Sequence, residues 1–123
     1  MAKLIQFPTF SDARGSLTVM QQELPFVPKR CFTVYDMKAP RGGHGHLRSE
    51  TVLFSLTGKI KVEVRTKGAA KLESDFYTLD RPDVGLFLDP ADWHSFEALT
   101  QDAFLLCIAS HEFSKDDYFY ERP

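Results

Sequence analysis

The chain has 123 residues, enough for one hydrophobic core and no second domain, so residues 1–123 are expected to form a single domain. Hydrophobic residues make up 43% and charged residues 26%, the mixture of an ordinary globular protein. A formal charge of −2, with no Lys/Arg run longer than a pair, argues against a nucleic-acid partner bound through a basic face. The opening MAKLIQFPTF lacks the apolar run of a signal peptide, and no stretch is long enough to span a membrane, so a cytoplasmic protein with no membrane partner is expected.

Strands dominate the chain in order. After the turn signal Arg14-Gly15 comes SLTVM (Ser16 to Met20), then CFTVYD (Cys31 to Asp36) and TVLFSL (Thr51 to Leu56). Past Thr57-Gly58, KIKVEVR alternates strictly: Ile60, Val62 and Val64 face one side, and Lys59, Lys61, Glu63 and Arg65 the other. DFYTL (Asp75 to Leu79) follows Lys67-Gly68, and VGLFL (Val84 to Leu88) follows Arg81-Pro82-Asp83. HSFEAL (His94 to Leu99) follows Pro90-Ala91-Asp92, and AFLLCIAS (Ala103 to Ser110) is the last run. These segments are short, rich in aromatic and β-branched residues, and bounded by turn residues. Tyr35, Phe54, Phe87 and Phe96 are expected in the core. The end, SKDDYFYERP, reads as a short helix with Ser114 as N-cap and Asp116-Asp117 at its solvated start. Cys31 and Cys107 sit in apolar segments outside any CxxC pair and read as buried free thiols. The pattern predicts an all-β sandwich or barrel.

The stretch RGGHGHLRSE, Arg41 to Glu50, is the chemical focus. Placed at the entry to the strand that continues through Thr51, His44 and His46 face the same side, and Glu50 shares their parity. His94, after Pro90, can converge on the same cavity. Three histidines and a carboxylate can hold Fe, Mn, Ni or Zn, and the spacing H-x-H-x3-E with a downstream P-x3-H resembles the two-part signature of cupin barrels. The same geometry suits metal-free chemistry, because a histidine near neutrality both takes and returns a proton. A pair of surface-loop histidines is the plain alternative. The double glycine and the apolar strand that follows favour a functional pair.

Five segments carry a family likeness over nearly the whole chain: RGSL (Arg14 to Leu17), LPFVPKR (Leu24 to Arg30), RGGHGH (Arg41 to His46), VGLFLDPADWHSF (Val84 to Phe96) and LLCIASHEFSKDDY (Leu105 to Tyr118). In this order the chain resembles the dTDP-4-keto-6-deoxy-hexose 3,4-ketoisomerases. The resemblance implies an all-β cupin-type jelly-roll barrel, a homodimer with swapped strands, and catalysis with no metal and no cofactor. It also implies interconversion of a dTDP-linked 4-keto sugar and its 3-keto isomer through an enediol, in deoxysugar biosynthesis. The first histidine of the family motif, here His44, is implied as the base, with His46 supporting it.

The family run K-R-V-Y-Y is matched by KRCFT, Lys29 to Thr33, which places Phe32 where the resemblance implies a proton-carrying tyrosine. Phenylalanine exchanges no proton. Strand alternation points Thr33 and Tyr35 away from the face of Phe32. An ordered water or another hydroxyl then carries that proton, or the chain runs a variant reaction or only binds sugar. Arg14, Arg41 and Arg30 are candidates for the diphosphate, each with an ordinary role as turn flank, loop charge or carboxylate partner. Trp93, beside His94, is a candidate cavity wall or base-stacking face, with a core position as the alternative. Two rivals stay open: a metal-dependent, dioxygenase-like cupin using His44, His46, Glu50 and His94, and a non-catalytic sugar-nucleotide binder. A sugar-nucleotide epimerase is a more distant relative of the same design.

Overall fold

A computed structural model describes residues 2–123. Two five-stranded antiparallel sheets form a jelly-roll barrel. One has the order β1 (Lys3–Gln6), β9 (Val84–Leu88), β6 (Thr51–Thr57), β11 (Phe104–Ala109) and β4 (Arg30–Tyr35). The other has the order β12 (Tyr118–Phe119), β5 (Arg41–His46), β10 (Asp92–Ala98), β7 (Ile60–Thr66) and β8 (Asp75–Leu79). β2 (Thr9–Asp12) and β3 (Gly15–Thr18) pair only with each other. No helix among the described residues is long and apolar enough to cross a membrane.

The sequence pattern explains the layering. β7 buries Ile60, Val62 and Val64 between the sheets, where they meet Leu53, Leu86, Leu105 and Phe96. Each fully buried aliphatic side chain of this size contributes about 1.5–3 kcal/mol. β6 is buried from Thr51 through Ser55 because both of its faces are covered. Leu53 faces the inter-sheet core, while Val52 and Phe54 pack under Phe7, Leu24 and Phe87.

Several expectations are corrected here. The chain does not run as one strand from His44 to Leu56. A turn over residues 47–50 separates β5 from β6, and the two strands belong to different sheets. The expected C-terminal helix is one 3-10 turn, Lys115–Asp117, followed by β12. Asp117 is buried rather than solvated. Phe54, Phe87 and Phe96 are core, but Tyr35 is exposed on the edge strand β4, where it stacks on Phe104 at 5.2 Å. Cys107 is buried, and its thiol is pushed up to about 12 by desolvation, whereas Cys31 on β4 is exposed. The N-terminal strand β1 pairs with β9 of the same chain.

Candidate active site

β5 and β10 place the histidines. His94 lies directly opposite His44 in the antiparallel pair, and a bulge follows between His94 and Ser95. The glycines before His44 make this approach possible. Gly42 adopts φ +87°, and a Cβ there would lie 3.0 Å from the His94 carbonyl oxygen. Only glycine combines that left-handed backbone with so close a neighbour. The three imidazoles cluster: centroids of His44 and His94 are 4.8 Å apart, of His44 and His46 5.2 Å, and of His46 and His94 6.0 Å.

They open onto a cavity of about 270 Å³. Phe32, Arg41, Thr51 and Tyr118 surround the histidines, and Leu53, Phe96 and Cys107 add apolar wall. Desolvation is the largest influence on all three rings. It pushes His46 down to about 4, assisted by the charge of a protonated His44, and His94 down to about 3, with repulsion from His44 and His46 added. Burial also lowers His44, against a backbone hydrogen bond at Gly42 that works the other way. At neutral pH the cluster is uncharged and offers ring lone pairs to a guest. His46 Nε2, His94 Nδ1 and Thr51 Oγ1 are buried without a hydrogen-bond partner among the described residues. Leaving a buried polar atom unpaired costs about 1–3 kcal/mol, so this wall is built to receive polar groups.

The carboxylate of the metal reading does not join the cluster. The turn after β5 breaks the parity that Glu50 was expected to share, and its backbone instead exchanges hydrogen bonds with Ser110. Among the described residues, no group of three or more His, Cys, Asp or Glu side chains is arranged to hold a metal ion. Trp93 has the opposite parity to His94 on β10 and does not line the cavity. Its indole N–H donates to the Tyr120 carbonyl at 3.3 Å, and Arg122 lies 5.6 Å over the ring. Of the arginines, Arg41 lines the cavity. Arg30 lies 5.6 Å over Phe32 and 5.9 Å over Phe113, close enough for its charge to help lower His44 and His46. Arg14 sits at the exposed tip of the β2–β3 hairpin, paired with Asp12 at 2.6 Å, and does not reach this cavity within the chain.

Sequence reasoning missed the tail. Tyr118 pairs with His46 in the β12–β5 ladder, and its ring lies 4.8 Å from both His44 and His46. Tyr120 lies 6.3 Å from His44. Asp117 holds the tail in place by accepting bonds from Arg48 N at 2.6 Å, Ser49 N at 3.3 Å and Ser49 Oγ. Burial raises its carboxyl, but the Ser49 and Arg48 hydrogen bonds outweigh that and hold it below the ordinary aspartate range. The available signal was the aromatic run Tyr118, Phe119, Tyr120, a residue type enriched in strands.

The comparisons agree with this architecture. Over 120 residues, 94% of this chain and 84% of the relative, the sequence is 36% identical to a TDP-4-oxo-6-deoxy-alpha-D-glucose-3,4-oxoisomerase from Aneurinibacillus thermoaerophilus. A 3,4-ketoisomerase from Helicobacter canadensis superposes with a TM-score of 0.88 at 30% identity, covering 98% of this chain and 90% of that one. A histidine-to-asparagine variant of the 3,4-ketoisomerase QdtA from Thermoanaerobacterium thermosaccharolyticum, in complex with TDP-4-keto-6-deoxyglucose, gives 0.88 at 28% identity, covering 98% and 87%. Residues 1–123 match the family described as FdtA: WxcM-like, C-terminal, and with its jelly roll and paired histidines the chain belongs to that family.

Proposed function

We propose that this enzyme is a sugar-nucleotide 3,4-ketoisomerase acting on a dTDP-linked 4-keto-6-deoxy-hexose in deoxysugar biosynthesis. The observation that carries the reading is the cluster of three neutral imidazoles, His46 and His94 buried and His44 half-buried, on one cavity. Its volume is near the lower end of the roughly 300–1,000 Å³ usual for ligand sites, which suits one hexose ring with the nucleotide outside. His44 acts as the base. The ketone at carbon 4 acidifies the hydrogen at carbon 3, His44 removes it, and an enediol forms across carbons 3 and 4. The same imidazolium then protonates carbon 4. His46 and His94 hold His44 and the sugar oxygens by hydrogen bonds, and Arg41 at the cavity serves the diphosphate. A base of this kind contributes about 100- to 10,000-fold and needs neither metal nor redox cofactor. Reduced free thiols at Cys31 and Cys107 fit action in the cytoplasm.

The assembly we propose is a homodimer. The β2–β3 hairpin stands apart from both sheets, with the cross-strand pair Phe10 and Leu17 exposed by 65% and 60%. An isolated two-stranded hairpin is marginal in water, so a second copy supplies its cover. The exchanged element is then this hairpin rather than β1, and it carries Arg14 to the partner subunit. Sedimentation should give a dimer that Phe10→Ser with Leu17→Ser converts to monomer. A monomeric parent protein contradicts the assembly.

Incubation with dTDP-4-keto-6-deoxyglucose in deuterium oxide, followed by NMR of the sugar protons, tests the reaction. The 3-keto isomer is expected, with deuterium at carbon 4 in proportion to how far the His44 imidazolium exchanges with solvent before it returns its proton. Binding without turnover or exchange identifies a non-catalytic sugar-nucleotide binder.

A further inference from the structure

We propose that the Tyr118 hydroxyl is the group that moves a proton between the oxygens on carbons 3 and 4 of the sugar, the task for which Phe32 has no hydroxyl. This rests on the ketoisomerase reading.

Tyr118 and Phe32 line the same cavity, Phe32 from β4 of one sheet and Tyr118 from β12 of the other. The phenol ring lies 4.8 Å from the rings of His44 and His46, so a sugar carbon within reach of His44 brings its oxygens near this side chain. The ring is fixed by its flanks. Asp117 is tied to Arg48 and Ser49 on one side, and the Tyr120 carbonyl is tied to Trp93 on the other. Beyond it, Arg122 pairs with Glu63 at 2.5 Å. A two-residue strand held at three points delivers one hydroxyl-bearing ring to the base.

The steps balance. His44 takes the proton from carbon 3, and the carbon–hydrogen electron pair becomes the carbon 3–carbon 4 double bond. The electrons of the carbon 4 carbonyl move to its oxygen, which accepts the Tyr118 phenol proton and becomes a hydroxyl. The resulting phenolate takes the proton from the hydroxyl on carbon 3. As that oxygen forms its carbonyl, the double-bond pair collects the proton from His44 at carbon 4. The sugar leaves as its isomer, and both side chains return to their starting states.

Four proteins test this on dTDP-4-keto-6-deoxyglucose: the parent, Tyr118→Phe, Phe32→Tyr, and the two changes together. Calorimetric titration with TDP and melting curves accompany the rates. Tyr118→Phe should lower kcat by about 100- to 10,000-fold with TDP affinity and melting temperature retained. Adding Phe32→Tyr should restore at least about tenfold. Such rescue from across the cavity is not expected of a residue that merely packs against His44. Should Tyr118→Phe fold poorly, 3-fluorotyrosine at position 118 keeps the shape and strengthens the acid, and the alkaline limb of kcat should move to lower pH. Retained kcat in Tyr118→Phe, a rise in KM alone, no rescue by Phe32→Tyr, or an unmoved limb each overturns the assignment while the parent still isomerises. A parent that binds but neither exchanges nor isomerises overturns the ketoisomerase reading and this assignment with it.

Discussion

His44 and His94 face each other across the β5–β10 ladder, with ring centroids 4.8 Å apart and planes inclined at 67°. Two imidazolium charges at that separation in a desolvated wall repel strongly, so protonation of one opposes protonation of the other. Burial adds to this. The depressed His44 and His94 are therefore neutral at physiological pH, the state a base requires.

The pH–rate profile follows from that relationship. Because the active form is neutral and His44 is held below the ordinary histidine value of about 6.5, activity should persist into mildly acidic solution. The acid limb of kcat/KM is expected below pH 6.5. A limb centred at or above 7 would show that His44 is stabilised as imidazolium and that the base is another group.

Folding stability should fall with acid for the same reason. The unfolded chain protonates its histidines near about 6.5, while folded His46 does so only near about 4 and His94 near about 3. Below pH 6.5 the unfolded state binds more protons, so the histidine contribution is complete above that pH and is lost as the pH drops toward 4. By pH 5 each buried ring costs about 1–2 kcal/mol. The buried carboxylate Asp117, lowered in the folded state, adds its own loss only below its ordinary range near 3.8. Urea midpoints between pH 7 and pH 5 measure the first effect, and His94→Gln should flatten the slope. An unchanged slope in that variant contradicts a buried neutral His94.

His44→Asn removes the titrating group and keeps a polar side chain of similar reach. Turnover should fall by about 100-fold or more, with the melting temperature close to that of the parent. Unfolding would make His44 structural, and normal turnover would move the base to His46 or His94.

The strands were legible where a single physical rule governed them. Ile60, Val62 and Val64 alternate because β7 has one wet face, and β8 and β9 fall on the residues expected, Asp75 to Leu79 and Val84 to Leu88. The pair His44 and His46 was legible from residue type and glycine context. What escaped were features set by long-range pairing. β5 has too many glycines to read as a strand, and only its partners β10 and β12 make it one. Glu50 was misplaced because parity was carried through an unseen turn. Tyr118 was hidden because KDDYF has no apolar period, and its strand exists through pairing with Gly45 and His46 and through the buried Asp117.

Gly45 provides the sharpest test of how the tail is held. It lies between the two histidines, it is buried, and Phe119 pairs with it across the β12–β5 ladder. A Cβ at this position would lie 2.3 Å from Phe119 Cζ and 3.0 Å from the Asp92 carbonyl oxygen. The backbone oxygen has little freedom to move, so the phenyl ring, which sits under Lys67 at 5.0 Å, is displaced. Gly45→Ala should therefore cost about 1–3 kcal/mol, as overpacking does, and detach β12 from β5. The larger effect should be on chemistry. Misplacing a group by about 1 Å can cost around 100-fold, and the detached strand carries Tyr118 away from His44. Phe119→Ala makes room for the new methyl, so the double variant should be more stable and more active than the sum of the single changes predicts. Melting curves and kcat for the four proteins complete the cycle. Strict additivity would show that Gly45 and Phe119 are uncoupled and that β12 is held by Asp117, Trp93 and the Arg122–Glu63 pair instead.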